Sequence, residues 1–121
     1  MKIEIIEPEF TICKIDDLVD INYDDKFLFL SITDEETSLV CPSNSVPKKT
    51  LQCEHGWNAF RIVGTLDFSL IGILATITSL LASKEIGIFT ISTYNTDYIF
   101  VKKENLSTAI DTLVANGYQL E

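Results

Sequence analysis

The change of hydrophobic period at Asp67 constrains this chain more than any other feature of it. From Trp57 to Leu66 the residues alternate, with Phe60, Ile62 and Gly64 on one side and Ala59, Arg61 and Val63 on the other, the period of a strand buried on one face. From Leu70 to Ala82 the apolar positions Leu70, Ile73, Leu74, Ile77, Leu80 and Leu81 fall at spacings of three and four. That spacing predicts one stripe on a helix, with Asp67 or Ser69 as its cap. Gly72 falls in the first turn, where a missing side chain lowers helix propensity but lets another backbone or a ligand come close.

Ile88 to Tyr94 is rich in β-branched and aromatic residues, and Tyr98 to Val101 repeats that character beyond Asn95-Thr96, which predicts a hairpin. Leu106, Ala109, Ile110, Leu113 and Val114 give a second amphipathic helix. It stops at Asn116-Gly117, where glycine takes the left-handed conformation that closes a helix. Tyr118 to Leu120 reads as a final strand. The order is strand, helix, strand, strand, helix, strand. With right-handed crossovers this predicts an α+β fold of ferredoxin-like βαββαβ type, an antiparallel four-stranded sheet carrying both helices on one face.

The first half is mostly β. Phe10 to Ile15, Lys26 to Thr33 and Thr37 to Cys41 alternate as strands, the last two separated by the acidic turn Asp34-Glu35-Glu36. Pro42 to Pro47 reads as a loop by its turn chemistry, and Lys49 to Cys53 as a short strand. Asp16, Asp17, Asp20, Asp24 and Asp25 lie within ten residues, yet the segment lacks the glycine turn and terminal glutamate of a calcium loop, so it reads as a solvated linker.

Two places have the chemistry to hold a small zwitterion. Asp67-Phe68-Ser69 opens the first long helix, where unpaired N–H groups and the helix dipole favour a carboxylate; simple capping by Asp67 and Ser69 is the competing reading. Thr93 and Asp97 flank the hairpin tip, and a carboxylate beside a hydroxyl is the pair that accepts and orients an ammonium group; ordinary hairpin chemistry is the alternative.

Gly64 to Ala75 (GTLDFSLIGILA) together with Ile91 to Val101 (ISTYNTDYIFV) resembles the signature of the ACT domain family, and within it the tandem-ACT branch that includes the eukaryotic cytosolic arginine sensors. The similarity is strong from Trp57 to Gly117, with a weaker echo at Asp34 to Pro42. It implies a complete ACT domain over 56–121 and a degenerate, mostly β ACT-like half over 1–55, fused into one compact unit. It also implies amino-acid contacts at the positions matching Thr93, Asp97 and Asp67 to Ser69. An opposite wall would come from an edge-strand segment, Ser38, Leu39 and Val40, chiefly through backbone groups and the Ser38 hydroxyl. Where the arginine sensors carry an acidic residue this chain has Ser69-Leu70, which suits a neutral or apolar amino acid better. The expectation is a cytoplasmic, regulatory sensor and homodimer, with the site within one chain or between two and with output through a regulated partner. A dimerisation module that keeps the ACT shape without a ligand is the alternative.

Nine Lys and Arg against eighteen Asp and Glu give a formal charge of −9, which repels nucleic-acid phosphates and anionic lipid. The longest apolar run, Leu70 to Ala82, is short for a bilayer and carries helical periodicity. Glu4 and Glu7 interrupt what would have to be the apolar part of a leader peptide, so a cytoplasmic address is expected. Cys13, Cys41 and Cys53 are odd in number and widely spaced, suggesting neither a disulfide framework nor a metal site, and read as packing residues. His55, the one histidine, reads as structural, in a turn leading into the strand at Trp57. With no GxSxG, HExxH or phosphate-binding loop, the chain is expected to be no enzyme and to need no cofactor or metal. Arg61, the one arginine, is a candidate for a salt bridge or an interface.

Overall fold

In the computed structural model, residues 1–64 and 72–121 are described. The chain divides into two compact units, one made of Met1–Glu7 and Asn58–Glu121, the other of Pro8–Trp57. Strands β1 (Lys2–Ile15) and β4 (Gln52–Ile62) contribute residues to both.

The larger unit carries the βαββαβ order. After β4 come α1 (Ile73–Ala82), β5 (Ile88–Ser92), β6 (Asp97–Lys102), α2 (Leu106–Ala115) and β7 (Gln119–Leu120). Strands β5 and β6 form the predicted antiparallel hairpin, with Ser92 opposite Asp97 and Ile88 opposite Val101. The sheet holds one strand more than the sequence suggested. The start of β1 lies beside β4, and β7 pairs parallel with β1, Lys2 to Gln119 and Ile3 to Leu120. Ile3 is fully buried, and the Val63 N–H donates to the Lys2 carbonyl at 2.9 Å, so these first residues are built into the sheet.

Both helices cover one sheet face. Ile3, Phe60, Ile62, Ile99 and Val101 from the strands meet Ile77 and Leu81 of α1 and Ala109, Ile110 and Leu113 of α2 in one buried cluster, with Ile73, Leu74 and Leu80 partly buried against it. The expected α1 stripe is therefore present from Ile73 onward. Val114 departs from the expected α2 stripe at 47% exposure. Thr112 is buried instead, its hydroxyl donating to the Thr108 carbonyl at 2.7 Å, which satisfies a polar group inside an apolar helix face. The chain leaves α2 through Gly117 at φ 96°, and the Tyr118 N–H donates back to the Leu113 carbonyl.

The smaller unit is a β structure in which β2 (Phe29–Ile32), β3 (Thr37–Pro42) and β1 lie in that order, followed by a 3₁₀ turn at Ser43–Ser45. Its core gathers Cys13, Ile15, Ile21, Leu39 and Cys41, with Leu28, Leu30 and Val46 packed against them. Strand β2 is shorter than the Lys26 to Thr33 run suggested, and β1 is longer, because Lys2 to Glu9 extends it. His55 and Gly56 lie inside β4 rather than in a turn before it, with Gly56 at φ 83°.

Candidate functional site

Gly72 is the N-cap of α1, at φ 82° and ψ 4°, rather than a first-turn residue. A glycine there supplies no side-chain cap. Asp67, Phe68 and Ser69, with Leu66 and Leu70, lie outside the described residues. The Gly72 carbonyl accepts from the Thr76 N–H and from the Thr76 hydroxyl, both at 2.9 Å, which fixes the first turn. Among the described residues, and leaving aside its chain neighbours and the backbone of its own helix, no heavy atom stands within 4 Å of where a Gly72 Cβ would lie. The open space is one end of a groove of about 440 Å³ lined by Gly72, Ile73, Thr76 and Leu80 of the α1 region and by Met1, Asn116, Gly117 and Tyr118. Its size lies in the range of about 300–1,000 Å³ usual for small-molecule pockets. Sequence reasoning found Gly72 and missed Met1, Asn116 and Tyr118, because chain termini and helix-stop residues carry no ligand signal of their own.

Thr93 and Asp97 stand at the tip of the β5–β6 hairpin, as expected. The Thr93 N–H and hydroxyl both donate to the Thr96 carbonyl, at 2.9 and 3.1 Å, and Asp97 Oδ1 accepts from the Ser92 hydroxyl. The buried Thr96 hydroxyl donates to the Ile62 carbonyl at 2.9 Å and ties the hairpin to β4. Thr93 lines a second groove of about 280 Å³ with Glu4, Arg61, Gly64, Asn95, Thr96 and Tyr98 among its walls. Arg61 donates to Glu4 Oε1 at 3.0 Å from Nε and forms an ion pair with it at 2.9 Å from Nη2; it also donates to the Tyr98 hydroxyl at 3.2 Å. The Tyr98 hydroxyl foremost, and Glu4 with it, raise the pKa of the guanidinium against the opposing effect of its partial burial. A fixed cation beside Thr93 is thus part of this groove. Its one sequence signal was a single arginine in a strand amid surplus carboxylates.

Ser38, Leu39 and Val40 fall in β3, which is flanked on both sides. Leu39 pairs with Cys13 of β1 and with Leu30 of β2, and Ser38 with Lys14 and Ser31. The expectation of an edge strand offering backbone groups is corrected, since two neighbouring strands use those groups. Leu39 and Val40 are buried at 1% and 4%, which leaves the half-buried Ser38 hydroxyl as the polar side-chain group of the three. It donates to Glu36 Oε1 at 2.6 Å and lines a third groove, of about 590 Å³, with Cys13, Lys14, Gln52, Cys53 and Glu54.

His55 Nδ1 lies 2.9 Å from the buried Thr11 hydroxyl, which is 2.7 Å from the Ser43 hydroxyl, a hydrogen-bonded rung from β4 through β1 to the 3₁₀ turn after β3. Among the described residues no group of three or more His, Cys, Asp or Glu is arranged to hold a metal ion, and no helix is long and apolar enough to cross a membrane.

The sequence matches the ACT domain family model over residues 52–115. The structure is similar to that of a protein from Agrobacterium tumefaciens, with a TM-score of 0.88 and 27% identity over 99% of this chain and 91% of that one. It also resembles the aspartate kinase of Clostridium acetobutylicum, described as an allosteric enzyme, with a TM-score of 0.65 and 14% identity over 87% of this chain and 32% of the kinase. A third likeness is to the ligand-free regulatory subunit of aspartate kinase from Thermus thermophilus, with a TM-score of 0.60 and 10% identity over 89% of this chain and 92% of that subunit. At the identities of the two kinase proteins the likeness is one of fold. No curated protein sequence matched.

Proposed function

The chain belongs to the ACT domain family, and from that premise we propose that it is a non-catalytic regulatory module that binds a small amino acid and senses its level. The observation that carries the reading is the groove of about 440 Å³ at Gly72, where a helix start meets a pocket that no side chain among the described residues fills at the Gly72 Cβ position. The first turn of a helix offers N–H groups and a positive dipole end, the environment a carboxylate seeks. In this reading the Asp67-Phe68-Ser69 segment and Gly72 receive the carboxylate end of the ligand. Thr93 and Asp97, at the tip of the β5–β6 hairpin, receive the ammonium end. Ile73, Leu80 and Tyr118 in the Gly72 groove, with Leu70 in the preceding segment, favour a neutral or apolar side chain.

The Ser38 hydroxyl is proposed as a further contact, presented by a second copy of the chain in a homodimer, with Leu39 and Val40 supporting it from the core. The reading includes the tandem-ACT arrangement that the sequence resembles, a cytoplasmic location and a regulated protein that reads the bound state. The regulatory subunit of aspartate kinase shares the fold, which supports regulation over catalysis. A ligand that binds one arrangement of copies better than another shifts the equilibrium by its differential affinity, which is the whole of the output mechanism required.

Titration calorimetry tests the assignment. With an amino acid that binds the wild-type chain, Thr93→Ala and Asp97→Ala should each weaken affinity about tenfold or more, the loss of a charge-assisted hydrogen bond. Unchanged affinity in both variants sinks the placement of the ammonium group.

A further inference from the structure

The three cysteines occupy one small region of the smaller unit, and their environments differ. Cys13 and Cys41 are buried at 2% and 0%, whereas Cys53 is exposed, which corrects its reading as a packing residue. Cys53 Sγ lies 3.5 Å from Cys13 Sγ across the neighbouring strands β4 and β1, and its thiol donates to the Thr50 hydroxyl at 3.1 Å. Both cysteines border the groove of about 590 Å³ that Lys14, Ser38 and Gln52 also line. A disulfide needs sulfurs about 2.0 Å apart, so modest side-chain rotation closes the gap without separating the strands. A buried thiol held next to an exposed one, with a groove leading to both, is the arrangement of an attacking and a resolving cysteine.

We propose that Cys53 and Cys13 form a peroxide-responsive thiol pair that closes to an intrachain disulfide. The Cys53 thiolate attacks one oxygen of hydrogen peroxide. An S–O bond forms, the O–O bond breaks, and the leaving hydroxide takes a proton to become water. Cys53 is then a sulfenic acid. The Cys13 sulfur attacks the Cys53 sulfur, the S–S bond forms, and the S–O bond breaks. The departing hydroxide takes up the proton that Cys13 releases, as a second water. Two thiols are oxidised by two electrons and one peroxide is reduced to two waters; a dithiol reductant reverses the change. Burial, and then the neighbouring Cys53, push the Cys13 thiol up to about 12, so the first attack falls to Cys53 and Cys13 acts only once its partner is oxidised. The bridge ties the start of β4 to β1 and encloses β2 and β3 in its loop, which restrains the unfolded chain.

The full chain, reduced and then treated with hydrogen peroxide, quenched with N-ethylmaleimide and weighed intact, provides the test. Three maleimide additions should fall to one, and dithiothreitol should restore three. Trypsin should release residues 3–14 joined to residues 50–61. The oxidised chain should melt at a higher temperature than the reduced one. Cys41→Ser should still lose two reactive thiols, and Cys53→Ser should lose none. Three maleimides after treatment, a Cys53 to Cys53 bridge between chains, a bridge to Cys41, or Cys53 oxidised beyond the sulfenic acid without a bridge would each overturn the proposal.

Discussion

Gly72 stands at φ 82° and no described residue beyond its neighbours occupies the place of a Cβ, so backbone strain sets the cost of Gly72→Ala. A left-handed conformation costs a side-chain-bearing residue about 1–2 kcal/mol, and the urea midpoint of the variant should fall by that amount divided by the m-value. Cys13 and Cys41 give a second prediction at this scale. Burial foremost raises both thiols from 9.0, Cys13 to about 12 with Cys53 adding to the shift and Cys41 to about 11 with the Asp25 charge adding. The folded chain thus holds these protons more tightly than the unfolded one. Their contribution to stability is complete below about pH 9 and is lost as pH rises through about 11 to 12. Denaturant midpoints measured from pH 8 upward should fall beyond pH 9, and less steeply in Cys41→Val. Sequence pattern located Gly72 at the start of α1 and Thr93 and Asp97 at the hairpin tip, because helix starts and turns leave local signals. It had no means of reaching Arg61 beside Tyr98 or Cys53 beside Cys13, since partners 37 and 40 positions apart meet only through strand pairing.

At the scale of elements, α1 is held by a single apolar stripe. Leu81 is fully buried in the cluster formed with Phe60, Ile62 and Leu113, and its carbonyl accepts from both Lys84 and Ile86 at the helix end. Leu81→Ala should cost about 2–5 kcal/mol, read from equilibrium unfolding, through lost burial and the cavity left behind. Helices α1 and α2 and the β5–β6 hairpin were legible because their periods of about 3.6 and 2 repeat over enough residues to be distinct. Strand β1 was only half legible. Ile3, Ile5 and Ile6 do not alternate cleanly, and the charges at Glu4, Glu7 and Glu9 disguise a strand whose Ile3 and Ile6 are buried. Strand β7 was legible as a strand, but its parallel pairing with β1 followed from a neighbour missing from the predicted sheet. The expectation of an edge at β3 came from the family resemblance rather than from the pattern, and β1 and β2 flank it.

At the scale of the whole molecule, the two units differ in what they offer a ligand. The larger one holds the complete βαββαβ order, the Gly72 groove and the Thr93 groove; the smaller holds the Ser38 hydroxyl and the thiols. A net charge of −9 disfavours phosphate-bearing partners at long range and leaves a zwitterionic ligand, with little net charge of its own, unaffected. The central claim is that a free amino acid binds the folded chain. Thermal unfolding of the purified protein against each of the twenty amino acids tests it directly, because a ligand at about a hundredfold excess over its dissociation constant stabilises the folded state by roughly 2.7 kcal/mol. The account predicts a midpoint raised by several degrees with one chemical class of neutral or apolar amino acid and not with the others. An unchanged midpoint with all twenty would contradict it.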